Sequence, residues 1–312
     1  MKITTSVLAL SLLLAGCHQF QKTKSGLIYK ITPGGSKDKL KQGQFVKMNI
    51  EIKIEPKDTL WSSSYGHIPA YIAVDTARFN TDKHNFTEVL AMCAPGDKFE
   101  FIMNVDSMKK FNLIREYDNL FVKGGSIKGK ADIIATFPDD KAFMADLQKE
   151  TDLEKQREVA DLQKYINGKG IHAQKTPNGV FVEIKDAGGP VKPDSGMQAS
   201  VMYRGTLLEN GKGFDKNMDA DALHKDPYPV VMGTHSVIPG WEEGLKYFGK
   251  GGKGRLFVPA SMAYGGQGQR PAIPPNANLV FDIEVVDVTT PPPPPPAPAA
   301  PTMKAPAPQK KK

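Results

Sequence analysis

The chain has 312 residues, 40% apolar and 24% charged, with a formal charge of +7. That length suits about two ordinary domains, and the composition excludes a wholly disordered or membrane-filling chain. Lys2, Lys304, Lys310, Lys311 and Lys312 sit in the two ends without acids beside them, which leaves the body near neutral, about +2. A nucleic-acid-coating domain would concentrate Lys and Arg on one face, so none is expected. Two cysteines, Cys17 and Cys93, are too few for a disulfide scaffold or a cysteine-rich zinc site.

In chain order, Met1-Lys2 precedes a short apolar run from Ile3 to Leu14. A membrane span needs roughly 20 such residues. A charged start, a short apolar middle and small residues before a break describe a secretory signal over residues 1–16. Leu14-Ala15-Gly16-Cys17 resembles the bacterial lipobox, which implies cleavage before an acylated Cys17. The alternative is an ordinary signal peptide with a chance cysteine. Each buried acyl methylene contributes about 0.8 kcal/mol, so several chains on one residue anchor stably. His18, rather than aspartate, follows Cys17. That points to the outer membrane, facing the periplasm, with residues 17–24 as a tether.

Two segments then match each other at an offset of 153: Ser25-Gly26-Leu27-Ile28-Tyr29-Lys30-Ile31 with Asn178-Gly179-Val180-Phe181-Val182-Glu183-Ile184, and Gly43–Met48 with Gly196–Val201. Asn85–Leu90 matches Gly240–Leu245 at an offset of 155. The blocks are rich in β-branched and aromatic residues and flanked by Gly and Pro, which predicts strands. So long a spacing means duplicated domains rather than a solenoid. Between the copies, residues 138–169 lack Gly and Pro from Asp139 to Lys164, and apolar residues recur at Phe143, Leu147, Val159, Leu162 and Ile166. One or two helices are expected there, buried against a domain or pairing with a second chain.

The second copy carries the specific motifs. Tyr203 to Asp215 reads as a strand, a turn at Asn210-Gly211 and a return strand. Val237-Ile238-Pro239-Gly240-Trp241, Pro259-Ala260-Ser261-Met262-Ala263-Tyr264-Gly265 and Ile273-Pro274-Pro275 through Phe281 follow. In order and spacing these resemble the FKBP family of peptidyl-prolyl cis-trans isomerases, over residues 178–288.

The resemblance implies an α+β fold of two FKBP-like domains joined by a helical linker, each a bent antiparallel sheet wrapped over a short helix. Residues 25–137 would be a degenerate domain and residues 170–289 a complete isomerase domain. Asp215 and Tyr264 would be the catalytic residues. Tyr203, Phe214, Tyr228, Val237, Ile238, Trp241, Ile273 and Phe281 would bind substrate, with Trp241 as the floor at the start of a helix Glu242–Tyr247 and Gly265–Ala272 as the flap. Singly, Phe214, Val237, Ile238 and Phe281 read as core residues of any β-domain; it is their company that points to a pocket.

In the first copy Tyr203 falls on Ile50, Phe214 on Trp61, Asp215 on Ser62 and Trp241 on Phe86, and no flap motif occurs in residues 96–137. That domain is therefore expected to scaffold, dock or dimerise. Cys93 reads as a small buried hydrophobe. His67, His84 and His172 have no ligand spacing, and neither a metal nor a cofactor is implied. The implied activity is prolyl isomerisation in proline-containing unfolded or secreted polypeptides, with rapamycin-like macrolides as inhibitors. The alternative is a non-catalytic holdase or docking lipoprotein, and a homodimer through the linker helix is compatible with either. Residues 290–312, with Pro291 to Pro296 and four lysines, read as a polyproline II tail, either solubilising or a basic arm on anionic envelope polymer.

Overall fold

Strand formation follows the two-residue period of the sequence. In Phe45–Glu55 the inward positions are Val46, Met48, Ile50, Ile52 and Ile54; in Gln198–Leu207 they are Ala199, Val201, Tyr203, Gly205 and Leu207. The computed structural model describes residues 19–290. The signal segment 1–16, Cys17 and the tail from residue 291 lie outside the described residues.

The described chain divides into two compact units, one taking in residues up to 164 together with 264–276, the other residues 165–263 and those from 277. The first sheet comprises β1 (Gln21–Lys22), β2 (Ile28–Thr32), β3 (Phe45–Glu55), β4 (Thr59–Ser63), β5 (Ala70–Ala73), β6 (Lys98–Asn104) and β7 (Ser126–Phe137). The second comprises β8 (Gln174–Lys175), β9 (Phe181–Asp186), β10 (Gln198–Leu207), β11 (Gly213–Lys216), β12 (Tyr228–Val231), β13 (Lys253–Val258) and β14 (Leu279–Thr289). The strand orders are β1-β2-β6-β7-β3-β4, with β5 also on β3, and β8-β9-β13-β14-β10-β11, with β12 also on β10. Replacing each strand by the one seven later turns the first order into the second. Even the irregularities repeat. Register shifts fall between Lys47 and Met48 and between Ile52 and Lys53 in one copy, and between Ser200 and Val201 and between Gly205 and Thr206 in the other. Bulges bend and twist a sheet, so each sheet turns at the same points.

The helices are α1 (Thr76–Thr81), α2 (Thr87–Leu90), α3 (Val105–Lys110), α4 (Asp140–Gly168) and α5 (Pro239–Leu245). Helix α5 begins three residues before the expected Glu242 and ends at Leu245 rather than Tyr247. Pro239 explains the early start: its ring presets the helical φ, and its missing N–H belongs to the first turn, where that group has no intrahelical acceptor. Trp241 therefore lies inside the helix, and is 5% exposed. Cys93 is fully buried, and burial pushes its thiol up to about 12, so it is an inert core group. Among the described residues no helix is long and apolar enough to cross a membrane.

The linker is one helix, α4, and up to Lys164 it is part of the first unit. Phe143 stacks on Phe45 with centroids 4.4 Å apart. Beyond it the attachment is ionic: Lys47, only 8% exposed, donates to Asp146 Oδ2 at 2.7 Å and Glu150 Oε1 at 2.9 Å, and the Tyr71 hydroxyl donates to Asp146 at 2.5 Å. Burial opposes the Lys47 ammonium, but the bonds to Asp146 and Glu150 outweigh it and hold it above its ordinary 10.5. Burial likewise opposes the Asp146 carboxylate, and the bonds from Lys47 and Tyr71 hold it below its ordinary 3.8. Further along, His67 Nδ1 lies 2.7 Å from Glu154 Oε1.

Lys47→Met would leave two carboxylates facing the sheet without their cation, and should cost about 2–3 kcal/mol of stability. The depressed Asp146 value makes the clamp fully effective above its unfolded pKa and loses it as pH falls through the folded one; the raised Lys47 value loses it as pH rises past that group. Urea denaturation of both proteins should therefore give a stability gap that is constant near neutrality, shrinks below about pH 4 and shrinks again above about pH 10.5. A gap independent of pH would show that Lys47 acts by packing alone.

Candidate active site

The site grows from the inner face of β10. Gly205 lies opposite Phe281 of β14 on one side and Asp215 of β11 on the other. The turn into β11 is set by Asn210, whose Oδ1 accepts from Lys212 N at 2.9 Å, and by Gly211 at φ 70°. The bulge opposite Gly205-Thr206 leaves Phe214 as the extra residue of the edge strand, between Gly213 and Asp215. An extra residue re-aims its side chain. The Phe214 ring accordingly lies over Gly205, where an added Cβ would come within 2.5 Å of it.

Four aromatic rings join it. Trp241 meets Tyr203 at 5.0 Å and 81°, Phe281 at 5.3 Å and 87°, and Tyr228 at 6.4 Å and 90°; Phe281 meets Phe214 at 5.6 Å and 86°. Every contact is edge to face, which lets the electropositive ring edge approach an electron-rich ring face and adds about 0.5–1.5 kcal/mol per pair beyond burial. Phe281 is 3% exposed and Tyr228 44%, so the cluster runs from a buried wall to an open rim. The Trp241 Nε1–H is buried and meets no acceptor among the described residues.

Polar contacts fix the near side. The Tyr203 hydroxyl donates to Asp215 Oδ2 at 2.5 Å, so the exposed carboxylate is tied to the ring cluster. Tyr203 is itself held from behind by Asn217, a residue the sequence reading passed over. Asn217 is buried; its Oδ1 accepts from Tyr203 N at 2.5 Å and its Nδ2 donates to Val201 O and Asp226 O, both at 3.0 Å. A hint lay in an asparagine just after the return strand, where side-chain amides often bond to nearby backbone.

Val237 and Ile238 are half-buried at the entry to α5, and Ile238 caps that helix with extended backbone, φ −58° and ψ 143°. Its N–H thus precedes the helical ladder. The structure brings Tyr203, Phe214, Asp215, Tyr228, Trp241 and Phe281 into one cluster, with Val237 and Ile238 at the head of its helix. Tyr264 and Ile273 belong to the segment 264–276, which closes on itself: Gln269 N donates to Ile273 O at 2.9 Å, Ile273 N to Gln269 O at 2.8 Å, and Asn276 N to Gly265 O at 2.9 Å. Ile273 is buried and Tyr264 half-buried.

The first sheet repeats the frame with a different set of side chains. By strand register Ile50 stands for Tyr203, Trp61 for Phe214, Ser62 for Asp215 and Gly129 for Phe281. Ser64 takes the place of Asn217, its Oγ accepting from Ile50 N at 2.9 Å.

A sequence model of the family described as FKBP-type peptidyl-prolyl cis-trans isomerase matches residues 189–286. The probable FKBP-type peptidyl-prolyl cis-trans isomerase of Haemophilus influenzae is 31% identical over 230 residues, 69% of this chain and 91% of that protein. The FKBP-type peptidyl-prolyl cis-trans isomerase FkpA of Escherichia coli is 34% identical over 160 residues, 49% of this chain and 56% of that protein, so the match spans little more than half of that relative. Its crystal structure aligns with 33% identity over 48% of this chain and 70% of that one, at a TM-score of 0.36.

Asn217→Ala would strip partners from Tyr203 N–H, Val201 C=O and Asp226 C=O. Val201 C=O is buried, and Tyr203 N–H and Asp226 C=O are only partly so; an orphaned buried group costs about 1–3 kcal/mol, so a loss of roughly 2 kcal/mol is expected. Denaturation of the full chain should report this loss, and Asn217→Ser, which can accept from Tyr203 N–H as Ser64 does from Ile50 N–H in the first copy, should recover part of it. Unchanged stability in Asn217→Ala would mean that Tyr203 is held by its ring contacts alone.

Proposed function

Because this chain belongs to the family of FKBP-type peptidyl-prolyl cis-trans isomerases, we propose that residues 170–289 catalyse cis–trans isomerisation of Xaa–Pro bonds in polypeptides folding in the bacterial envelope. The observation that carries this reading is the convergence of Tyr203, Tyr228 and Phe281 on Trp241, all edge to face, beside the Tyr203–Asp215 hydrogen bond.

Rotation about a peptide bond is opposed by about 18–20 kcal/mol of resonance-based barrier. An Xaa–Pro bond therefore takes tens to hundreds of seconds to turn, although its two isomers differ little in energy. No proton transfer or nucleophile is needed. In the twisted amide the lone pair is localised on nitrogen and the oxygen carries less negative charge than in either planar form, so a site that strips water from that oxygen and holds the chain on both sides of the bond binds the twisted form better than either planar one.

In this reading Phe214, Trp241 and Phe281 grip the proline ring, with Val237, Ile238 and Ile273 completing the apolar lining and Tyr228 at the rim. The Ile238 N–H and the Tyr264 hydroxyl hold substrate carbonyls. Asp215, oriented by Tyr203, polarises the carbonyl side, and the unpaired Trp241 Nε1–H adds a donor at the floor. The first domain, lacking the counterparts of Tyr203, Asp215 and Phe281, does not catalyse and serves client contact. Rapamycin-like macrolides compete for the ring cluster.

The test is turnover of an Xaa-Pro peptide by the chain from residue 19 onward, with and without rapamycin. Catalysis that rapamycin inhibits is expected, with Tyr264→Phe lowering kcat/KM about tenfold, the net worth of one hydrogen bond, and the fold retained on circular dichroism. No turnover of any Xaa-Pro peptide would overturn the reading.

We also propose that Cys17 is acylated and anchors the protein to the outer membrane, with the domains in the periplasm. The lipobox-like Leu14-Ala15-Gly16-Cys17 and the following His18 support this. Cys17→Ser should either leave the precursor uncleaved or release the protein into the soluble envelope fraction; equal membrane retention of mature Cys17→Ser would sink the anchor.

A further inference from the structure

A groove of about 580 Å³ opens outside the ring cluster, along β11. Phe214 and Asp215 line it as well as the candidate active site, so the groove continues that site rather than forming a separate one. Strand β11 ends the strand order of its sheet, and an end strand presents backbone N–H and C=O groups to an extended chain.

The far wall is the loop after β11, and it is built to stay in place. Arg204 Nε donates to Asp219 Oδ2 at 3.0 Å, and Lys216 Nζ lies 2.6 Å from Asp221 and 3.4 Å from Asp219. Ala222 N closes a turn onto Asp219 O at 3.0 Å, and Ala222 is buried. The next residue, Leu223, is 95% exposed, higher than any other large apolar side chain among the described residues. A pinned loop that turns a leucine fully into water beside the site has a use for it. Asp215, Asp219 and Asp221 outnumber Arg204 and Lys216, which leaves the groove with a residual negative charge.

Resting on the isomerase reading of the adjoining site, we infer that this groove binds the stretch of client polypeptide flanking the Xaa–Pro bond. The client lies extended along β11, with apolar residues against Leu223 and a preference for basic over acidic neighbours. The inference names the substrate class: long unfolded chains rather than isolated Xaa-Pro dipeptide units.

The experiment compares a tetrapeptide, Ala-Leu-Pro-Phe, with the same core extended by six residues on each side. The extensions carry leucine with either lysine or glutamate. On the tetrapeptide, Leu223→Ser should match the parent chain in both kcat and KM. On the lysine-flanked peptide its KM should rise about fivefold at constant kcat, as expected when part of one leucine side chain no longer shields apolar surface, and Leu223→Met should restore it. The parent chain should also show a lower KM for lysine than for glutamate flanks, the difference narrowing in salt.

Equal KM values for Leu223→Ser and parent on the long peptide would overturn the groove, and equal KM values for the two flanks would overturn its charge preference. Should the parent turn over neither peptide, the isomerase reading falls, and fluorescence anisotropy of the labelled long peptide decides the groove separately. Weaker binding by Leu223→Ser supports it, and equal binding removes it.

Discussion

The site depends on the absence of one methyl group. Gly205 lies on the inner face of β10 between Phe281 and Asp215, and the rings of Phe214 and Phe281 both press on its Cα. A Cβ there would lie 2.5 Å from Phe214 and 3.0 Å from Phe281. Because the backbone is bare, the two rings meet edge to face across it, and Phe281 can turn its other side to Trp241. Tyr203, two residues back on the same face, then packs on Trp241 and reaches Asp215. The ring cluster, the carboxylate and the start of the outer groove are all placed by how closely β10 lets its neighbours approach.

The first copy shows what happens to the same row when that glycine moves. Across the second sheet the row reads Val182, Leu256, Phe281, Gly205, Asp215; across the first it reads Tyr29, Phe101, Gly129, Ile52, Ser62. Glycine has shifted one strand, from the β10 position to the β7 position, and the large ring has shifted with it to β6. Phe101 covers Gly129, where a Cβ would lie 2.1 Å from the ring, and Phe86 stacks on Phe101 at 5.4 Å. Phe86 holds the place of Trp241, so a pair of rings still bridges helix and sheet, with Phe101 buried and Phe86 half-buried against the core. Strand order, both bulges and the polar bracket at Ser64 or Asn217 are untouched by the exchange.

This contrast explains what could be read from the sequence. The strands were legible because half-buried strands impose a two-residue period, and the duplication because residues 28–31 and 45–48 keep that period at a fixed offset of 153 from their partners. The ring cluster was legible only through the resemblance of the motifs around Phe214-Asp215 and Trp241 to the family, since singly such residues read as core. Asn217 was not, since its value lies in three backbone groups brought to it by folding rather than in any pattern of neighbours. The α4 attachment was hidden for a related reason. Lys47 and Glu154 are charged residues that are nonetheless buried, and only the fold brings Lys47 to Asp146 and Glu150 and Glu154 to His67. The α5 start was misjudged because Pro239 looks like a break, whereas in the first helical turn proline is preorganised.

A cleft lined with rings is an energetic burden that the rest of a domain must carry. Each face left without a partner forgoes the dispersion contacts that a filled core would supply, and an indole N–H without an acceptor adds a desolvation cost. In the first sheet Phe101, 1% exposed, covers Gly129; in the second Phe281, 3% exposed, lies beside Gly205 instead. The second sheet offsets the burden locally: five edge-to-face ring contacts among Tyr203, Phe214, Tyr228, Trp241 and Phe281, the hydrogen bond that ties Tyr203 to Asp215, and Asn217 behind them. These contacts hold the rings of the cluster against one another. Rigid walls are what selecting a twisted amide over a planar one requires, because a compliant site would adapt to both and discriminate neither.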